Sequence, residues 1–221
     1  MPTFLKELER YVRQGLEELK VELSPEVLSQ SLRYLSLLKD FAEPLGLTAL
    51  KSPQEFAVKH FLDSLTVLPF LPAGPILDLG TGAGLPGMII KIVQPEREVW
   101  LVDARKKPIS FLTYAAGVLG LKGLKIVQAT IGQGDSLPRG YFPGVVSRAV
   151  SDLETLWDLA HPLLRGDGAL LALKGPRVGQ EIASLKERFP SLEIESHRLQ
   201  LPLTGDERHI VVVKGFPNGG N

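Results

Sequence analysis

The stretch from Leu77 to Gly87, LDLGTGAGLPG, sets four glycines within eight residues, at positions 80, 82, 84 and 87. Glycine this dense is costly in a regular element, so the segment is a loop shaped for tight turns or for a ligand close to the backbone. Gly82, Gly84 and Gly87 satisfy G-x-G-x-x-G between the apolar run PILDLG and the helical stretch MIIKIV. About twenty residues further on, Asp103 closes the run EVWLVDA, where a doubly wound fold sets an acid to hold ribose hydroxyls. Loop, helix and acid together describe an adenosine-containing ligand. Both a nicotinamide dinucleotide and S-adenosylmethionine meet that description.

Asp78 argues between the two. It lies inside the strand, two residues before Gly80, where a carboxylate would repel a pyrophosphate. A ligand that carries a sulfonium and an ammonium instead of phosphates gains from the same charge, which favours S-adenosylmethionine. Each acid also has a plain structural reading. Asp78 would tie down the amides of the loop, and Asp103 would cap the helix that begins in ARKKPISFL.

These residues need a scaffold, and the chain supplies one. Phe4, Leu5, Leu8, Val12, Leu16 and Leu19 recur at helical spacing and predict an amphipathic first helix. Ser24-Pro25 opens a second, with Leu28, Leu32, Leu35, Leu38 and Phe41 as its apolar stripe up to Pro44. Ser52-Pro53-Gln54-Glu55 reads as a capping box before AVKHFLDSLTVL. From Pro75 the texture changes to short β-type runs between helices: PILDLG, EVWLVDA, LKIVQAT, GVVSRAV and ALLALKG, then LEIESHRLQL and RHIVVVKG. The alternation predicts an α/β fold, a mostly parallel sheet covered by helices on both faces. The last two runs are joined by a short turn and predict an antiparallel hairpin at one sheet edge. The expected organisation is a helical segment over 1–70, a ligand-binding domain over 71–216 and a frayed tail over 217–221.

Composition narrows the chemistry. The 221 residues include 25 Lys+Arg and 25 Asp+Glu, so the formal net charge is zero and any polyanion must meet a local basic patch. The chain has no cysteine, which removes disulfides, thiolate metal sites and cysteine nucleophiles. The four histidines, at 60, 161, 197 and 209, share no metal-ligand spacing, so no metal is expected. His161 and His197 read as structural. His60 and Asp63 lie on one helical face within reach of each other. The first twenty residues mix charge through their apolar positions, unlike a signal peptide or a membrane span. A soluble cytoplasmic protein is the expectation.

The series HFLDSL, LDLGTGAGLPGMIIKIVQPE, LVDARKKPISFL, VSRAV, LALKG and ERHIVVV, in this order, resembles the 16S ribosomal RNA guanine methyltransferases of the RsmG type, also called GidB. The resemblance spans roughly residues 47 to 214. It implies a class I, Rossmann-like methyltransferase fold of seven strands with an antiparallel last strand and a helical N-terminal segment. The implied donor is S-adenosyl-L-methionine, and the implied acceptor is ring nitrogen 7 of a guanine in the 530 loop of 16S rRNA, within the small subunit or its precursor. Carried over residue by residue, Asp78, Gly80, Thr81, Gly82, Gly84 and Leu85 would line the methionine end of the cofactor. Asp103 with Ala104 would hold the ribose, and Arg148 would stand beside them. Lys106, Lys107, Arg148, Lys174 and Arg208 match basic positions that would meet RNA, with His209 beside the last. His60, Asp63 and Ser64 would close the site, and His60, Asp63, Arg148 and Lys174 are the candidates for positioning the reactants. The family usually shows an arginine and an acid in a RAEE-like stretch after the third strand. Here the chain reads Gln128-Ala129-Thr130-Ile131-Gly132-Gln133.

The chemistry fits independently. Guanine N7 carries an in-plane lone pair and no proton, so methylation there needs no general base, and orientation can supply much of the rate. Arg148, Lys174 and Arg208 fall at or just beyond strand ends, and Lys106 and Lys107 open a helix beside Asp103. In a doubly wound sheet those places share one rim with the cofactor. Two other readings compete. One is an RNA- or ribosome-binding protein that keeps the fold without turnover; the other is an NAD-dependent oxidoreductase, opposed by Asp78 and by the lack of an evident hydride-transfer pair. A neutral monomer with a local basic rim is expected to favour the intact subunit or a near-mature particle over naked RNA.

Overall fold

The computed structural model describes residues 2–42, 46–47, 49–131, 137–148 and 151–215. The tail 217–221, Pro44 at the foot of the second helix, and Gly132 and Gln133 lie outside the described residues.

Helix α1, Pro2–Leu19, buries Leu8, Val12 and Leu16 from the predicted stripe. Helix α2, Pro25–Leu37, starts where Ser24 Oγ accepts the Val27 N–H, with Pro25 in the first turn where no N–H is missed. It continues as a π-helical turn, Leu38–Ala42. The helical run α3, residues 53–65, opens on the expected capping box: Ser52 Oγ accepts from Glu55 N at 3.2 Å and the Glu55 carboxylate accepts from Ser52 N at 3.4 Å. Its middle, Phe56–Leu62, is π-helical, which the plain helical pattern did not predict. Residues on every side of this run are buried, because it is packed between α1 and the sheet. At Gly15 of α1 an added Cβ would lie 2.1 Å from Leu62 Cδ1, so glycine is what lets the two backbones approach.

The strands are β1 Ile76–Leu79, β2 Val99–Asp103, β3 Leu124–Gln128, β4 Phe142–Arg148, β5 Leu164–Lys174, β6 Glu193–Gln200 and β7 Glu207–Lys214. They form one sheet in the order β3-β2-β1-β4-β5-β7-β6. The first five run parallel, while β7 runs antiparallel between β5 and β6. The hairpin at the edge is therefore as the sequence predicts. β5 starts earlier than its apolar run: Leu164 pairs with Phe142, then the register jumps so that Ala169 pairs with Gly144. The polar residues 165–168 bridge that irregularity.

Helices α4 Gly87–Val93 and α5 Lys106–Leu119 cover one face together with α1–α3, and α6 Leu153–Ala160 and α7 Val178–Arg188 cover the other. The helical segment shares its core with the sheet, since Leu8, Val12, Tyr34 and Phe61 join Ile76, Ile89, Leu101 and Leu112 in one cluster. Strand alternation then sorts the polar residues at the rim. Asp78, Asp103, Arg148 and Arg208 are in phase with Ile76, Leu101, Val146 and Ile210 on the α1–α5 face. Lys174 and His209 are in phase with Ala172 and Val211 on the other. Among the described residues, no helix is long and apolar enough to cross a membrane.

Candidate active site at the carboxyl rim

The glycine loop leaves β1 and feeds α4. Gly80, Gly82 and Gly84 have φ of 69, 54 and 82°, a region that side chains other than glycine's rarely adopt. Space also decides two positions. A Cβ on Gly84 would stand 2.6 Å from Leu112, Met88 and Tyr34, and one on Gly87 would stand 2.3 Å from Leu101 and 2.6 Å from Asp78 Oδ2. The third glycine of the motif is thus the residue that lets a backbone N–H reach Asp78.

Asp78 is fully buried. Its Oδ2 accepts from Thr81 Oγ1 at 2.7 Å and from Gly87 N at 2.8 Å, so the loop-tying role is real. Its Oδ1 has no hydrogen-bond partner among the described residues. Burial pushes this carboxyl up to about 6, against the pull of the Thr81 and Gly87 hydrogen bonds and of Arg148. A buried acid with one unsatisfied oxygen, beneath a loop of this shape, suits a cationic ligand group and does not suit a phosphate. Tyr34 of α2, also fully buried, donates its hydroxyl to Ala83 O and supports the loop from the helical layer. Burial, and then Asp78, raise the Tyr34 hydroxyl well above the usual phenol value, so it remains a donor.

Asp103 stands 5% exposed at the end of β2. Its Oδ2 accepts from Gly82 N at 2.9 Å, which links the second strand to the glycine loop. Both oxygens also meet the Arg105 guanidinium at 3.0 Å, and Oδ1 accepts from Arg105 N at 2.9 Å. Burial pushes the Asp103 carboxyl up, but the hydrogen bonds from Arg105 and Gly82 outweigh it and hold the group below its usual range. Asp103 is not the side-chain cap of α5, because Arg105 occupies that position and caps nothing. Leu85 is buried, whereas Ala104, Lys106 and Lys107 are exposed at the start of α5.

The second part of the site joins three elements. Asp63 of α3, 1% exposed, accepts from Arg208 Nε at 2.6 Å and Nη2 at 2.9 Å, and from Arg148 Nη1 at 3.1 Å. Arg148 Nη1 also donates to Lys59 O. The expected His60–Asp63 partnership gives way to this knot, because the carboxylate is turned to the two arginines. His60 packs edge-on against Phe56 with ring centroids 4.9 Å apart. Burial, with help from Arg148, drives its imidazole down to about 3, so it is neutral at physiological pH. Ser64 donates to His60 O at 2.6 Å and is a helix-internal residue.

Lys174 reaches the same rim from the opposite face. Its Nζ donates to Ser151 O and pairs with Glu181 of α7 at 2.7 Å. Arg148, Lys174, Arg208 and Asp63 line one cavity of about 670 Å³, with His60 and Asp206. His209 turns away to Glu207 and Ser196. His161 stacks on Trp157 at the end of α6, and His197 lies on the edge strand against Phe70, as structural residues do. In the divergent stretch that begins at the end of β3, Gln128 donates its side chain to Ala104 O at 3.1 Å and Ala129 N donates to Asp103 O at 3.2 Å.

Sequence reasoning missed Tyr34, Arg105 and Glu181. Arg105 was visible beside Asp103 in LVDARKK. Tyr34 sits among the leucines of α2 and Glu181 on an exposed-looking helix, and neither carries a local signal of what it touches.

Three comparisons bear on this arrangement. The family model described as GidB, rRNA small subunit methyltransferase G, matches residues 27–211. A ribosomal RNA small subunit methyltransferase G from Acinetobacter baumannii is 37% identical over 215 residues, 97% of this chain and 99% of that protein. One from Halorhodospira halophila is 40% identical over 178 residues, covering 80% and 84%. Among solved structures, a SAM-dependent methyltransferase from Aquifex aeolicus superposes with a TM-score of 0.58 at 16% identity, over 78% of this chain and 98% of that one. A SAM-dependent O-methyltransferase from Thermotoga maritima gives 0.55 at 17% identity, over 83% and 73%. At such identities these two speak to the fold, which is that of class I methyltransferases.

Proposed function

The chain belongs to the family of rRNA small subunit methyltransferase G, and from that premise we propose that it methylates ring nitrogen 7 of a guanine in the 530 loop of 16S rRNA. Its cofactor is S-adenosyl-L-methionine, as in the class, which removes the nicotinamide reading. When bound, that cofactor supplies an electrophilic methyl group on a sulfonium.

The observation that carries the cofactor's seat is the buried Asp78 oxygen under the glycine loop, which has no partner among the described residues. Above about pH 6 this carboxylate is charged and attracts the cationic methionine end. Gly80, Thr81, Gly82, Gly84 and Leu85 give it a backbone cradle, and Asp103 beside Ala104 accepts from the ribose hydroxyls after Arg105 yields its two contacts. Arg148 and Arg208, held by Asp63, orient the nucleotide from the rim, with Lys174 at its far side and His60 as a neutral wall. Lys106 and Lys107 take phosphates next to Asp103. Because guanine N7 bears no proton, these residues need only align the lone pair with the methyl and exclude water. In this reading the helical segment 1–70 closes the site over a domain of residues 71–216, and the protein works in the cytoplasm as a monomer.

The test is a methyl-transfer assay with labelled S-adenosyl-L-methionine and small subunits from cells lacking this protein, mapped by cleavage specific for 7-methylguanine. Label at one guanine of the 530 loop is the expected result. Label at another base keeps the enzyme and discards the target. No label, with cofactor binding intact, moves the function to RNA binding without turnover.

A further inference from the structure

Beside this site the outer surface of α5 carries an aromatic ledge. Phe41, from the π-helical turn after α2, and Tyr114 of α5 are 42% and 49% exposed, and their rings meet at 5.2 Å and 61°. Val118, one turn beyond Tyr114, is 39% exposed. Exposed apolar side chains scattered singly need no explanation, whereas these three lie in ring contact or one helical turn apart. Cations flank it at both ends of α5, although Asp40 directly precedes Phe41. The α5 sequence KKPISFLTYAAGVL contains no acid, and Lys107 lies seven residues before Tyr114 on the same helical face. At the other end Arg33 of α2 reaches Val118 O and remains exposed. Asp40, next to Phe41, is the acid nearest in sequence.

The helices that carry the ledge also carry buried supports of the cofactor loop. Leu112 of α5 packs against Gly84, and Tyr34 of α2 holds Ala83 O, so both helices that bear the ledge also wall the loop. A guanine whose N7 is to be methylated has to leave its stack to enter a rim site, and its neighbours lose a stacking partner as it does. A flat, amphipathic ring flanked by cations is the surface that receives an unpaired base without regard to its identity.

We propose that Tyr114 and Phe41 form a stacking platform for an unpaired rRNA base next to the target nucleotide, with Lys107 and Arg33 meeting the phosphates on either side. This rests on the rRNA reading above, and it adds a partner for a surface that reading leaves unused. The experiment measures the affinity of the full-length protein for small subunits from cells lacking it, across a salt series, for Tyr114→Ala, Phe41→Ala and Tyr114→Phe. Both alanine variants are expected to bind on the order of tenfold more weakly, since stacking on an aromatic ring is worth that much per base. The slope of log affinity against log salt stays unchanged, because no cation is lost, whereas Lys107→Ala flattens it by about one. Tyr114→Phe keeps the ring and restores binding. Cofactor affinity and melting temperature are controls and hold in all variants. Unchanged subunit affinity in both alanine variants overturns the proposal. A photoreactive aromatic residue at position 114 identifies what lies there: a nuclease-sensitive adduct supports RNA, and an adduct to a ribosomal protein overturns it. Binding is read without turnover, so a protein that methylates another base, or none, still answers this question separately.

Discussion

Asp78 keeps its proton to about pH 6 because burial outweighs the pull of the Thr81 and Gly87 hydrogen bonds and of Arg148. Its folded value lies above the unfolded reference of 3.8, so its contribution to stability is full below about pH 4 and is lost as pH rises through about 6. The rise from 3.8 to about 6 corresponds to about 3 kcal/mol. His60 works in the opposite sense: its folded value of about 3 lies below the reference of 6.5, so its contribution is present above pH 6.5 and lost as pH falls. Comparing wild type with Asp78→Asn cancels the histidine. The stability difference between the two, measured by urea unfolding, is expected to move by about 2 kcal/mol in favour of the variant between pH 4 and pH 7.5. A difference independent of pH would show that Asp78 is ionised throughout. Arg105 makes a second prediction at this scale. Its guanidinium is 66% exposed although Asp103 is 5% exposed, so solvent at the arginine screens the pair toward the roughly 0.2–1 kcal/mol of surface pairs. Arg105→Ala is therefore expected to tighten cofactor binding by up to about fivefold in calorimetry, and weaker binding would make Arg105 a ligand of the cofactor instead.

Among the elements, α3 does most to complete the site. Its π-helical middle delivers Asp63 to the arginines of β4 and β7, so that three elements meet at this carboxylate. Removing one partner from a buried ionic knot leaves its guanidiniums facing each other, and such losses run to about 3–5 kcal/mol in fully buried cases. Arg148 and Arg208 are 18% and 20% exposed, so Asp63→Asn is expected to destabilise by about half that, with Asp63→Glu intermediate. Chemical denaturation checks it, and an unchanged midpoint would mean the arginines find other acceptors. The strands, the capping box at Ser52, the glycine loop and Asp103 were legible because each is written in local pattern: alternation, cap chemistry, and glycines that only a positive φ explains. The knot was not. Asp63 and Arg208 are 145 residues apart, and helical spacing offered His60 as the nearer partner for Asp63. Nor does any period in FAVKHFL distinguish a π-helix from an α-helix, because that choice is made by packing on both sides. Strand-end positions brought Arg148, Lys174 and Arg208 to one rim, where they line one cavity, but strand alternation, with Lys174 on the opposite face from the two arginines, was not read from the sequence.

For the whole molecule, charge decides how it finds RNA. With 25 basic and 25 acidic residues it has no long-range field to offer. Of the five rim cations, Lys106 and Lys107 stand exposed on α5, whereas Arg148 and Arg208 share Asp63, and Lys174 is paired with Glu181. Five cations less two acids leave a local excess of three. If each unit of excess displaces one counterion, the slope of log affinity against log salt for small-subunit RNA is about −2. That is shallow for an RNA-binding protein, and it means that phosphate contacts alone give little affinity for a protein-free strand. Shape has to supply the remainder, and shape is held by an assembled particle. Methylation is therefore expected to be efficient on intact small subunits or near-mature particles and poor on a protein-free stem-loop at the same concentration. Equal rates on the two substrates, or a slope several units steeper, would show that the paired arginines and Lys174 release their acids to phosphate on binding, and that the rim is far more basic in the complex than in the free protein.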